Sequence, residues 1–257
     1  TEKWSGHYTV KVKVRDHWDQ VLTENFIDFE VFDQKDLKAP SGKVAVLDFN
    51  GDLKSFLQKN NVKTVDFNSN LTQDIPVLVC INKAKNNEEL KLFKRLLKFV
   101  ESGGTAVYLD RLTDSVKTEN IITPFTARVH PSKGLWTCIP HIAREHPIFK
   151  GLQNKGFLRN SYENIWPKKS LRDLKINGVK VEEKPLVASI GFDWFSRGHK
   201  MGYSGPGPSW WGADLTFVPF KKGQYLLSQF EILENLGKDP VADKMLFNFI
   251  TYCNTKD

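Results

Sequence analysis

Aromatic and charged residues are concentrated in the segment from residue 192 to residue 214. Indole rings beside carboxylate and guanidinium groups are typical of sugar-binding sites, because the C–H face of a sugar stacks on an indole while its hydroxyls need polar partners. The residues that could form such a substrate-binding site are Asp193, Trp194, Arg197, Trp210 and Trp211. The same residue types anchor domain interfaces or tuck a loop onto its own core, so both interpretations stay open beside ligand binding.

Polar side chains also follow three apolar runs that are typical of buried strands. Asp48, Asn82 and Asp110 each come directly after such a run. In a parallel sheet the carboxyl ends of the strands meet at one edge, where ligands bind, so we expect these three residues to lie close together. We call this strand-end edge the rim. Turn formation and helix capping are the alternative roles of Asp and Asn at these positions.

The motifs for covalent catalysis and metal binding are incomplete. A nucleophile elbow needs small residues two positions on either side of the nucleophile, and Cys80 lacks them. Ser204 is followed by Gly-Pro-Gly-Pro instead of the helix that such a turn requires. His141 and His146 are five residues apart, which misses the spacing of four that places two metal ligands on one helix face. The sequence therefore predicts no catalytic residue, no metal site and no cofactor.

The elements that must position these residues alternate between strands and helices. The predicted strands are 43–48, 63–67, 76–81, 105–110 and 223–229. Helical spacing of apolar residues follows the first run, and a helix is predicted from about 87 to 102, with Gly103 and Gly104 after it. This alternation predicts an α/β fold with a three-layer, doubly wound and mostly parallel sheet.

Two further regions complete this body. From residue 112 to about 181 the periodicity fades, and we expect irregular strands and turns there. The final predicted helix begins after Asp239, which can cap it, and Pro240 suits its first position.

Residues 1–34 are predicted to form a β-hairpin ahead of an α/β domain at 35–257. In its first strand Val10, Val12 and Val14 alternate with charged residues, and the second strand repeats this period of two. One face of the hairpin is therefore apolar. An isolated hairpin is only marginally stable in water, so this face must be covered by the rest of the chain or by a further domain.

The composition is that of an ordinary globular protein. Of the 257 residues, 40% are hydrophobic and 26% are charged, which excludes disordered and collagen-like classes. The formal net charge of +7 raises the question of an anionic partner, but the basic helix face from Lys91 to Lys98 is more typical of a solvated surface. The three cysteines lie far apart, which excludes a disulfide framework. No apolar run reaches 18 residues, so no membrane span is predicted, and no secretory leader follows Thr1.

Several motifs resemble one enzyme family. They are Gly223-Gln224-Tyr225-Leu226-Leu227-Ser228-Gln229, the stretch from Asn235 to Asp243, and His146-Pro147-Ile148-Phe149-Lys150-Gly151-Leu152. As a set they resemble the C-terminal region of large bacterial family 2 glycoside hydrolases. The alternation through Gly103-Gly104-Thr105 is similar to the class I glutamine amidotransferase-like, flavodoxin-like domain of that region. The opening hairpin resembles the closing strands of the immunoglobulin-like sandwich that precedes this domain.

The resemblance implies a structural module, since the catalytic carboxylates of that family lie in a barrel domain for which this chain is too short. It implies a non-catalytic accessory module that packs on the other domains of its parent enzyme, contributes to oligosaccharide binding, and is periplasmic or extracellular. One alternative is an independent amidotransferase-like or esterase-like hydrolase that uses Cys80, Asp48 or Asp110 at the rim. A second alternative is a basic nucleic-acid-binding protein, although no nucleic-acid partner is predicted.

Overall fold

The computed structural model describes residues 5–33, 37–68, 70–80, 86–112, 125–131, 141–176, 178–181, 183–192 and 209–255. Its strands are β1 (Gly6–Arg15), β2 (Val21–Val31), β3 (Lys43–Leu47), β4 (Lys63–Asp66), β5 (Val77–Val79), β6 (Thr105–Tyr108), β7 (Phe125–Pro131), β8 (His141–Ala143), β9 (Lys169–Ile176), β10 (Val179–Lys180), β11 (Lys184–Phe192), β12 (Ser209–Phe220) and β13 (Gly223–Ser228). Its α-helices are α1 (Asp52–Lys59), α2 (Asn87–Glu101), α3 (Ile232–Asn235) and α4 (Pro240–Asn254), and short 3-10 helices lie at Pro147–Phe149 and Asn160–Ile165.

Five of these strands form a parallel sheet in the order β4-β3-β5-β6-β13. Numbered along the chain, the five strands lie in the order 2-1-3-4-5, which is the arrangement of flavodoxin-like doubly wound folds. From β3 the chain passes to β4 on one side and then crosses to β5 on the other side of β3. The carboxyl ends of β3 and β5 therefore flank the switch point of the sheet. The predicted α/β fold class is confirmed.

Both faces of the parallel sheet are buried because its strands consist largely of apolar residues. Side chains alternate along each strand, so Val107 packs on one side of the sheet and Tyr108 on the other. The first side receives Leu57 of α1 and Leu246 of α4, and the second side receives Phe93 of α2. The body therefore has the three layers that the alternation of strands and helices predicts.

Two helices start at the predicted positions, each after a residue whose side chain caps it. The Asn86 side chain accepts a hydrogen bond from the backbone N–H of Glu89 at 2.9 Å and caps α2. Asp239 caps α4 by accepting a hydrogen bond from the N–H of Val241 at 2.7 Å, and Pro240 is the first helical residue. Both predicted helix starts are confirmed. Among the helices of the described ranges, none has the length and apolar character that crossing a membrane requires.

Antiparallel strands extend the sheet beyond β13. Four of them, β7 to β10, lie in the segment 112–181 where irregular strands are expected, whereas β11 and β12 lie beyond it and were not predicted. β12 pairs with β13 and with β11. β9 pairs with β12 at Ala213 and also pairs with β7 and β10. Leu215 of β12 lies opposite Ser228, the last residue of β13. The residues of β12 before Leu215 therefore project past the carboxyl ends of the parallel strands, together with the paired end of β11.

The predicted hairpin is confirmed as a separate antiparallel sheet of β1 and β2. Val10 lies opposite Ile27 on one face, and Lys11 lies opposite Phe26 on the other. The base of the hairpin approaches the body, where the Asp28 carboxylate lies 3.9 Å from the Arg159 guanidinium. The apolar face of the hairpin is exposed to solvent.

Candidate functional site

A cavity of about 470 Å³ lies at the switch point of the parallel sheet. Its lining residues are Asp48, Phe49, Asn50, Asp52, Leu53, Phe56, Cys80, Asp110, Leu233, Glu234 and Leu236. Asp48 follows β3, Cys80 follows β5 and Asp110 follows β6, so the carboxyl ends of three neighbouring strands meet there. The structure thus brings Asp48 and Asp110 together at the rim. Asn82, the third residue predicted for the rim, lies outside the described residues.

Asp48 fills the position at which flavodoxin-like folds offer an anion site. Its Oδ1 accepts hydrogen bonds from the N–H groups of Asn50 at 3.1 Å and Gly51 at 3.0 Å. Its Oδ2 accepts from Leu53 at 2.8 Å and Lys54 at 3.3 Å. A helix N-terminus attracts anions through these N–H groups, and here the carboxylate of the chain itself binds them. Four of the N–H groups around the start of α1 are therefore already bound, which disfavours a phosphate group there.

Cys80 is not activated as a nucleophile. Burial raises the pKa of the Cys80 thiol well above its ordinary value, and the negative charges of Asp48 and Asp110 raise it further. The thiolate, which is the reactive form, is therefore scarce at neutral pH. This environment is the opposite of the electropositive one that a catalytic cysteine requires.

Ion pairs close the side of the rim next to β6. Arg111 pairs with Glu231 and with Glu234, and the second Glu231 oxygen lies 2.8 Å from the Lys168 ammonium. The basic groups beside the cavity are thus held by carboxylates. Together with Asp48 and Asp110, this arrangement makes the cavity wall acidic, which disfavours anionic ligands.

A second polar cluster is buried at the same edge of the sheet. The Asp214 carboxylate, which is fully buried, accepts hydrogen bonds from Ser170 Oγ at 2.6 Å and from Ser189 Oγ at 2.7 Å. Its Oδ2 also lies 2.9 Å from His141 Nδ1, and Ser189 Oγ lies 3.0 Å from the same nitrogen. We call these four residues the buried network. Its position is at the carboxyl edge, because the Asp214 carbonyl accepts a hydrogen bond from the N–H of Gln229, directly after β13.

The geometry of the buried network fixes the tautomer of His141. An ionised carboxylate can only accept hydrogen bonds, so Nδ1 carries the proton that faces Asp214. In a hydrolase triad the serine lies on the other ring nitrogen, opposite the carboxylate. Here Ser189 and Asp214 both lie on Nδ1, so the network does not have the order of a nucleophilic triad.

Sequence reasoning did not find the buried network. Its four residues lie on four different strands, β8, β9, β11 and β12, and are distant along the chain. A signal existed in Ser189 and Asp214, because a serine inside Val187-Ala188-Ser189-Ile190 and an aspartate before Leu215 interrupt apolar runs. For His141 the sequence offers only the role of a possible metal ligand beside His146.

The residues predicted to bind a sugar are only partly described. Asp193, Trp194 and Arg197 lie outside the described residues. Trp210 is buried, and the Arg172 guanidinium lies 5.3 Å from the centre of its ring, where it forms a cation–π contact. Trp211 is 52% exposed and lies on the other face of β12. Of the two described indoles predicted to bind a sugar, Trp210 and Trp211, the second is thus the one with a ring accessible to a ligand.

His146 has a structural role at the start of a 3-10 helix. Its Nδ1 accepts a hydrogen bond from the N–H of Ile148 at 3.2 Å, and its ring lies 4.7 Å from that of Tyr252. Burial, with a contribution from the Arg144 charge, lowers the pKa of His146. Across the described ranges, no group of three His, Cys, Asp or Glu side chains is placed to hold a metal ion.

Comparisons with known proteins give similarity in fold only. No protein-family model matches the sequence, and no curated protein matches it. A ThuA-like protein from Bacteroides uniformis is similar in structure, with 13% identity, coverage of 86% of this chain and 94% of that chain, and a TM-score of 0.44.

Glycoside hydrolases are also among the structural neighbours. An α-L-fucosidase from Paenibacillus thiaminolyticus matches with 11% identity and a TM-score of 0.45, covering 83% of this chain and 33% of that chain. An exo-β-1,4-mannosidase from Opitutaceae bacterium strain TAV5 matches with 12% identity and a TM-score of 0.43, covering 87% and 37%. The chain spans about a third of the length of these two enzymes. At TM-scores below 0.5 these likenesses carry no argument about activity.

Proposed function

We propose that this chain is an accessory module of a bacterial glycoside hydrolase, which packs on the rest of that enzyme and catalyses no reaction itself. Its partners are the other domains of the same enzyme and an oligosaccharide, and its location is periplasmic or extracellular. The observation that carries the proposal is the exposed apolar face of the hairpin. The enzyme class comes from the sequence motifs that resemble family 2 glycoside hydrolases.

The exposed face is a stripe of aliphatic and aromatic side chains. Its members are Val10, Val12, Val14, Ile27 and Phe29, each between 41% and 56% exposed. Each Å² of apolar surface left in water forgoes about 25 cal/mol, so a two-stranded ribbon gains stability when a partner covers it. Contiguous apolar patches of this kind mark interaction sites.

The opposite face of the hairpin is mostly charged. Lys11 and Lys13 both pair with Glu24 there, and the Thr9 hydroxyl donates to Asp28 at 2.8 Å. An apolar inner face and a polar outer face characterise each sheet of a β-sandwich. We therefore assign one occupant to the stripe, namely a sheet of an immunoglobulin-like sandwich in the same polypeptide.

The rim supports an accessory role because its groups are poorly prepared for bond chemistry. The Asp48 carboxylate is engaged by four backbone N–H groups, and the Cys80 thiol is held in its protonated form. An independent amidotransferase-like or esterase-like hydrolase would need an activated nucleophile at this edge. The described rim residues therefore disfavour that alternative.

The basic surface gives little support to nucleic-acid binding. Lys91 of α2 pairs with Glu88 at 2.6 Å, and Lys54 of α1 pairs with Asp66 at 2.8 Å. Lysines that pair with carboxylates of their own chain are less available to phosphates.

The oligosaccharide part of the proposal rests on Trp211. Its exposed indole at the projecting end of β12 offers a face on which a sugar ring can stack. Asp193, Trp194 and Arg197, in the segment between β11 and β12, are the residues predicted to supply polar and aromatic partners.

The docking proposal has a matched pair of test variants. Ile27 is 56% exposed on the apolar face, and its neighbour Phe26 is 59% exposed on the opposite face. The chain is titrated with the separately produced remainder of its polypeptide. Ile27→Lys should raise the dissociation constant by at least about tenfold, because it places a charge in the apolar contact. Phe26→Lys should leave the dissociation constant unchanged.

The same preparations test the absence of catalysis. The isolated chain should not hydrolyse aryl glycosides, while the remainder of the polypeptide should. Equal effects of the two lysine variants would refute docking through the apolar face. The non-catalytic role would be refuted if the isolated chain hydrolysed glycosides and if Asp48→Asn or Cys80→Ser abolished that hydrolysis.

A further inference from the structure

His141 has one ring nitrogen that the buried network does not use. Nδ1 is bound by Asp214 and Ser189, whereas Nε2 makes no hydrogen bond to any residue in the described ranges. In the neutral imidazole with its proton on Nδ1, Nε2 presents a lone pair and can accept a hydrogen bond. The His141 side chain is 8% exposed, so it lies at the margin of the buried cluster.

The indole of Trp166 lies beside this imidazole. The two ring centres are 6.0 Å apart, and the ring planes are inclined by 33°. The Trp166 Nε1 atom is buried, and no acceptor for its N–H exists within the part of the chain that the structure describes. A buried donor without an acceptor costs about 1–3 kcal/mol. A free acceptor and a free donor therefore occur in neighbouring rings.

A hydroxyl group can satisfy both nitrogens at once. A hydroxyl group donates its hydrogen to Nε2 and accepts the indole N–H with a lone pair. A carboxylate or fully ionised phosphate could accept from Trp166 but could not donate to His141. An ammonium group could donate to His141 but could not accept from Trp166.

We propose that His141 and Trp166 form a subsite for one hydroxyl group of a polyhydroxylated ligand, which is a sugar or a polyol. Asp214, Ser170 and Ser189 are positioning residues, since they orient the imidazole and hold its proton on Nδ1. The subsite lies at the carboxyl edge, where ligands of doubly wound sheets bind. The inference goes beyond the docking role, because neither ring belongs to the hairpin, and it is separate from the Trp211 face.

Nuclear magnetic resonance can observe both rings in the intact chain. The probes are D-glucose, D-galactose, D-mannose and myo-inositol, titrated while the indole N–H signal of Trp166 and the ring nitrogens of His141 are followed. At least one probe should shift both signals in a saturable way. Trp166→Phe, which keeps an aromatic ring but removes the N–H, should weaken that binding by about tenfold, whereas the matched Trp18→Phe in the exposed turn of the hairpin should leave it unchanged.

The wild-type titration decides the proposal even if a variant fails to fold. If all four probes leave both signals unchanged at about 0.1 M, a concentration that occupies a site of low-millimolar affinity, the subsite does not exist. A saturable shift at Trp211 without a shift at Trp166 and His141 would also overturn it, while supporting the sugar-stacking role of Trp211. Neither outcome bears on docking through the hairpin, which is tested by its own pair of variants.

Discussion

Gly212 lies so close to Ser170 that a Cβ atom at position 212 would be only 2.6 Å from the Cβ of Ser170. The backbone carbonyl of Leu171 would lie 3.0 Å from the same added atom. A glycine is therefore required for β9 to approach β12 at this point. That approach places Ser170 Oγ within 2.6 Å of Asp214 and so completes the buried network.

Gly212→Ala should destabilise the chain by about 1–3 kcal/mol, because the added methyl group forces β9 and β12 apart. Urea unfolding measures this change. The losses caused by Gly212→Ala and Ser170→Gly should be less than additive in the double variant, because Ser170→Gly removes the closest atom in the contact. Full stability of Gly212→Ala would contradict the close packing of the two strands.

Cys80 should react slowly with alkylating reagents at neutral pH. Its pKa is raised by burial and by two neighbouring carboxylates, so the thiolate population is small. The measurement uses a Cys138→Ser/Cys253→Ser background, in which Cys80 is the remaining thiol. Native protein should react much more slowly than the same protein in urea. Faster alkylation in the native state than in urea would restore Cys80 as a candidate nucleophile.

Glu30→Gln should stabilise the chain at neutral pH. Burial raises the pKa of Glu30, while the neighbouring His7 and a hydrogen bond from Ser161 act in the opposite direction with smaller effect. A folded-state pKa above the unfolded one means that the folded protein binds the proton more tightly. Its stability therefore falls as the pH rises through the raised pKa, and the neutral amide avoids this loss.

Thermal unfolding at a series of pH values checks whether Glu30→Gln raises or lowers the stability of the chain. The melting temperature of Glu30→Gln should exceed that of the unmodified chain at pH 7, and the difference should shrink as the pH falls and vanish below about pH 3, where the carboxyl is protonated in both states. Glu24→Gln is the control. A hydrogen bond from Lys11 lowers the pKa of Glu24, so the amide should destabilise the chain at pH 7 instead of stabilising it. A melting temperature of Glu30→Gln that exceeds that of the unmodified chain at pH 4 but not at pH 7 would contradict the proposed effect of Glu30.

The body of the fold was predictable because its strands are short apolar runs with helices between them. The same reasoning placed Asp48 and Asp110 at one rim, since the carboxyl ends of parallel strands must meet. The capping of α4 by Asp239 was also readable from neighbouring residues. These features depend on local sequence or on a general rule of parallel sheets.

The buried network was not predictable from local sequence. His141, Ser170, Ser189 and Asp214 are distant along the chain, and their contact depends on the register of antiparallel strands. Register in this region is set by irregularities such as the shift between Pro185 and Val187 in β11 and by the close approach at Gly212. No periodic pattern of the sequence encodes these two features.

Hydrogen exchange of the hairpin tests the central claim most directly. The backbone amides of β1 and β2 are compared in the isolated chain and in the polypeptide encoded by its complete reading frame, with the amides of α4 as the internal control. We expect these hairpin amides to exchange at least about a hundredfold more slowly in the complete polypeptide, because a sandwich sheet covers the apolar stripe there. Equal exchange rates in the two preparations, with α4 unchanged, would contradict docking through this face.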